Sequence, residues 1–77
     1  MLASAWINKA GFIHVVNVLE TWSSKHEAYV YELRRYYTER EDRVINIDVY
    51  DTYAEAAIMF GNLIEQLSNS EYWTEMV

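Results

Sequence analysis

The sequence has no cysteine, so neither a disulfide nor a thiolate metal site can brace the fold. It has only two glycines, too few for a loop that cradles phosphate through backbone N–H groups. No apolar run reaches the roughly 18 residues of a membrane span. The opening stretch, MLASAWINKA, lacks the basic start and apolar core of a secretory signal. A cytoplasmic protein without membrane association is therefore expected. Positive charge is also missing over much of the chain. Beyond Arg43 there is no Lys or Arg, while Asp48, Asp51, Glu55, Glu65, Glu71 and Glu75 remain. Residues 1–43 balance six basic against six acidic side chains, so the whole net charge of −6 belongs to the second part. Such a segment does not bind a nucleic-acid backbone, because neutralising phosphate takes Lys or Arg.

What is present is apolar and aromatic. Hydrophobic residues make up 52% of the chain, with seven Tyr and three Trp, which excludes disorder. Seventy-seven residues support one core and hence a single domain, 1–77. A chain of this size buries only about 60% of its unfolded surface, so association is one remaining way to add buried area.

The stretch VINIDVY (44–50) alternates Ile45, Ile47 and Val49 with Asn46, Asp48 and Tyr50, the period of a strand with one strongly apolar face. If that face meets a helix, Val44 and Tyr50 point away. A helix is expected over about 52–67. Asp51 or Thr52 can cap it, Glu55 completes a capping box with Thr52, and Tyr53, Ala57, Phe60, Ile64 and Leu67 form one stripe. Gly61 interrupts it at a cost of about 1 kcal/mol against Ala, which suggests close packing on a sheet. AYVYELRRYY (28–37) is rich in Tyr and Val and reads as a strand in preference to a helix capped by Ser24. The charged stretch after it is expected to turn the chain into 44–50. FIHVVNVL (12–19) is strand-like, NKAG (8–11) has turn chemistry, and 2–7 is a further strand or a short helix. TWSSKH is expected as a link. The tail, 68–77, folds back through Tyr72 and Trp73. The resulting fold class is α+β: an antiparallel meander of three to four strands with one helix of the C-terminal half packed on one face. A single helix covers one face only, and in any register the other keeps large apolar side chains of the kind that mark an interface.

Catalytic chemistry finds no foothold. Ser23, Ser24 and His26 are close in sequence, but no third group orients the imidazole. Glu41 and Asp42 sit between Arg40 and Arg43, the opposite of the burial that raises a carboxyl pKa for acid–base work. His14 and His26 have no metal-ligand spacing, and His14 is expected at a strand edge or interface. No catalytic residue, metal or cofactor is expected, and the chain is read as a non-enzyme. Arg34, Arg35 and Tyr37 could stack and pair with single-stranded nucleic acid. The interleaved Glu32, Glu39, Glu41 and Asp42 favour a self-neutralised hairpin with cross-strand Arg–Glu pairs, so direct nucleic-acid binding is not favoured.

The leading expectation is a small acidic protein-binding module, an inhibitor or adaptor that docks on a basic, nucleic-acid-binding partner. Phage-encoded inhibitors that mimic nucleic acid work in this way. Asp48, Asp51, Glu55, Glu65, Glu71 and Glu75 would steer the encounter. Tyr29, Tyr31, Tyr36, Tyr37, Ile58 and Met59 would anchor it. The alternative is a homodimer formed through the uncovered sheet face.

Overall fold

The computed structural model describes residues 2–37 and 44–76, without the side chains of Tyr37, Val44 and Ile45. The elements run β1 (Leu2–Asn8), β2 (Ile13–Ser23), β3 (Ala28–Tyr37), β4 (Val44–Tyr50), α1 (Tyr53–Asn69) and β5 (Trp73–Glu75). All strand pairs are antiparallel, in the order β4-β3-β2-β1-β5, and the helix lies against one face and touches every strand. The meander is therefore as expected, with β5 added beside β1. The charged segment 38–43, expected as a turn, lies outside the described residues, as do Glu39, Arg40, Glu41, Asp42 and Arg43 within it.

The turns follow from their side chains. In NKAG, Asn8 Oδ1 accepts from the backbone N–H of Ala10 (2.9 Å) and Phe12 (3.0 Å), and the Gly11 N–H bonds back to the Asn8 carbonyl. Gly11 has φ +88, a left-handed conformation that favours glycine. Between β2 and β3 only residues 24–27 form the loop. Ser23 Oγ accepts the His26 N–H, and Glu27 closes the turn at φ 52. Thr21, Trp22 and Ser23, expected in a link, instead extend β2 by pairing with Val30, Tyr29 and Ala28. Their polar and mixed character hid a strand whose partner row supplies the hydrogen bonds.

Register decides which face is buried. Leu2 pairs with Val18, Val18 with Leu33, and Leu33 with Asp48, so these four share the helix side. Trp6, Val16, Val18 and Leu33 form the core with Ala56 and Leu67 of the helix. Each fully buried Val, such as Val16 and Val18, contributes about 1.5–3 kcal/mol. On β4 the polar set faces the helix side: Asp48 opposes Leu33 and Tyr50 opposes Tyr31. Ile47 and Val49 oppose Arg34 and Glu32 and point the other way, 44% and 52% exposed. The apolar row of VINIDVY thus turns away from the helix. Edge position explains why this is tolerated, since Asp48 stays exposed beside the helix instead of entering the core. The apolar row lengthens the bare face.

The helix begins with Thr52 as N-cap. Thr52 Oγ1 accepts from the Glu55 N–H at 3.2 Å and donates to the Glu55 carboxylate at 3.1 Å. Ala56 and Leu67 are its buried residues, and Phe60, Leu63 and Ile64 pack half-buried beside them, so Phe60, Ile64 and Leu67 of the expected stripe face the sheet while Ala56 and Leu63 join it. Ala56 is fully buried, and its small side chain lets the helix sit close to Val16 and Val18. Tyr53 is instead at the margin, its ring edge-on to Tyr31 at 5.8 Å. Gly61 does not mediate close packing. It is exposed, and a Cβ there would meet nothing within 4 Å.

Gly61→Ala should therefore stabilise the fold by about 0.4–1 kcal/mol, raising the thermal midpoint by a few degrees in circular dichroism. Ala56→Leu should cost about 1–3 kcal/mol by overpacking the helix–sheet contact. Equal effects of the two substitutions would contradict this assignment of faces.

Candidate functional site: an acidic helical side and a neutral sheet face

Charge is distributed by side. On the helix side, Glu20, Asp48 and Glu75 project from strands, Glu55 and Glu65 from the helix, and Asp51 and Glu71 flank its two ends. Arg35 is the single basic strand residue on that side among the described residues. On the other sheet face, the charged strand residues that are described are Glu32 and Arg34, and they bond to each other. Arg34 Nε and Nη2 both donate to Glu32 Oε1, the former at 3.0 Å. This pair runs along one strand, two residues apart; the other groups of the expected cross-strand pairs, in 38–43, lie outside the described residues. Tyr50 registers the acidic field: burial, then the carboxylates of Asp48 and Glu55, push its phenol above the ordinary value.

The helix side also carries apolar groups in contact with water. Ile58 is 64% exposed and Met59 41%, on the same outer surface as Glu55, Asn62 and Glu65. Asp48, Met59, Asn62 and Gln66 line one shallow hollow between β4 and the helix. At the β2–β3 hairpin end, Trp22 and Tyr29 form an exposed edge-to-face pair with centroids 5.2 Å apart. Tyr31 lies next along the sheet and borders a hollow with Glu20 and with Tyr53 at the start of the helix.

The expected anchors are thus divided. Ile58, Met59 and Tyr29 are accessible on the helix side together with the six acids. Tyr31 is half-buried against the core. Tyr36 is on the opposite face, where its hydroxyl accepts from Asn17 Nδ2 at 3.4 Å. The Tyr37 side chain lies outside the description. Trp22 joins the helix-side surface, outside the expected anchors, because Thr21–Ser23 extend β2 where TWSSKH is expected as a link. The signal available was a large aromatic three residues beyond Leu19, in phase with Val16 and Val18 if the strand alternation continues.

His14 is neither at an edge nor exposed. It lies on central β2, 2% exposed, with its ring edge-on to Trp73 at 5.2 Å. Arg35 Nε donates to His14 Nε2 at 3.4 Å, which requires a lone pair on that nitrogen. Burial, then the Arg35 charge, lowers its pKa below the ordinary 6.5. His26 is far along the same strand direction, in the exposed turn, with Nδ1 3.0 Å from Ser23 Oγ. Among the described residues no group of three or more His, Asp or Glu could hold a metal ion, and no helix is long and apolar enough to cross a membrane. The chain matches no known protein family, no curated protein and no solved structure.

The buried neutral imidazole makes stability pH-dependent. The unfolded chain takes up this proton near pH 6.5, the folded chain only at lower pH. The contribution is complete above pH 6.5 and is lost as pH falls from there through the lowered folded value. The urea midpoint should accordingly drop between about pH 7 and pH 5.5, and His14→Gln should remove most of that drop. An identical drop in the variant would assign it to other groups.

Proposed function

We propose that this protein is a non-enzymatic protein–protein interaction module, an inhibitor or adaptor whose acidic helical side docks on a basic surface of a nucleic-acid-binding partner. The observation that carries this reading is the one-sided charge: seven acids lie on or beside the helix side, against one strand arginine. Carboxylates in that arrangement steer a basic partner over long range and oppose nucleic acid itself. Ile58 and Met59, set among Glu55, Asn62 and Glu65 at helical spacing, supply the apolar contact that steering alone lacks. Trp22 and Tyr29 extend that contact with rigid aromatic area, the residue type that dominates interface energetics.

The test is affinity capture from the native host lysate, mass spectrometry of what is retained, and titration of the purified partner. The partner should have a basic nucleic-acid-binding surface, and nucleic acid should compete. Ile58→Ala and Trp22→Ala should each weaken binding by about tenfold or more. Glu55→Gln with Glu65→Gln should mainly slow association. Affinity should fall steeply as salt rises from about 50 to 300 mM, because exposed charges are screened over that range. Salt-independent binding, or binding unaffected by Ile58→Ala and Trp22→Ala, would remove this reading.

A further inference from the structure

The face of the sheet away from the helix is apolar over most of its described residues. Ile13, Val15 and Leu19 of β2 lie half-buried along its middle, Tyr36 lies half-buried on one flank beside the already buried Val30, and Ile47 and Val49 reach the β4 edge, exposed. An antiparallel sheet with one face in water normally carries polar residues there. Here the charged strand residues described are Glu32 and Arg34, which neutralise each other. We propose that this face is the docking surface for a second copy of the chain, packed sheet to sheet about a two-fold axis.

Two observations select that occupant. The first is charge. The chain carries −6, so two copies repel wherever their acids meet. The described strand residues of this face are neutral, and docking here puts the two acidic helical sides at the greatest separation. A basic partner, in contrast, is drawn to the opposite side, and a nucleic acid finds no unpaired cation among these strand residues. The second is area. The Cα envelope measures 42 × 25 × 17 Å, so the broad face offers at most about 1,000 Å² per copy, against about 800 Å² per partner in a standard stable interface. β-branched rows on two such faces interdigitate at about 10 Å separation, as in a β-sandwich. The dimer leaves both helical sides outward and makes the module bivalent. It does not depend on the function proposed above.

Sedimentation equilibrium or light scattering on the full chain tests it. The wild type should show twice its 9.2 kDa mass at about 50 µM, and the dimer should persist in about 1 M salt, where binding to a basic partner is lost. Ile47 and Val49 are exposed in the protomer, so Ile47→Lys with Val49→Lys should keep the circular dichroism spectrum yet raise the dimer dissociation constant at least tenfold. Val15→Lys, at the centre, should do the same, and Ile58→Lys on the helix should leave the dimer dissociation constant unchanged. A monomer mass at every concentration up to about 500 µM overturns the proposal whatever the variants do. So does a dimer indifferent to all three sheet-face substitutions, or one abolished by Ile58→Lys.

Discussion

One helix against a five-stranded sheet is the constraint from which the rest follows. The helix touches all five strands, and its Ala56 and Leu67, with Phe60, Leu63 and Ile64, pack on Trp6, Val16, Val18 and Leu33 of the three strands β1, β2 and β3. Among the described residues there is no second helix, so the opposite face is left without a helical layer; Val30 is buried there, Ile13, Val15 and Leu19 are half-buried, and Ile47 and Val49 are exposed. Side-chain alternation then forces a division. What lies between the core residues on each strand points outward, and in β2 those residues are Ile13, Val15, Asn17 and Leu19. The same packing pins the acids to one side, because the chain after Arg43 supplies the helix, its ends and its flanking strands.

The two sides differ in kind. The helical side combines strong negative potential with scattered apolar contacts, which suits selective recognition of a basic surface. The sheet face is broad, apolar and locally neutral, which suits association driven by area. A chain of 77 residues gains most from the second. His14 sits at the boundary of these roles. It is a buried polar group held neutral in the core, and its chemistry serves the fold.

Much of the architecture was legible from period and caps. The strands at 28–37 and 44–50, the NKAG turn and the Thr52 cap all follow from local patterns, because each depends on residues close in sequence. What escaped depends on distant partners. The alternation in VINIDVY revealed two faces but not which one meets the helix; the pairing of Leu33 with Asp48 decided that. Thr21–Ser23 became strand because Ala28, Tyr29 and Val30 lie opposite. β5 is three residues long and has no period of its own; it exists because β1 offers an edge. Ala56 is unremarkable in a hydrophobic pattern, yet its smallness sets the helix phase. In the candidate site, the acids and Ile58 with Met59 were visible as a helical outer surface. Tyr31 and Tyr36 were not separable from Tyr29 without knowing how far the helix extends over the sheet.

The account rests on the two sides having different fates in solution. Relaxation of side-chain methyl protons by a neutral, soluble gadolinium chelate measures this directly, since it reports which methyls the solvent reaches. Methyls of Val15, Leu19 and Ile47 should be shielded at high protein concentration and become exposed on dilution. Those of Ile58 and Met59 should be strongly relaxed throughout. Equal relaxation on both sides at every concentration would contradict the account.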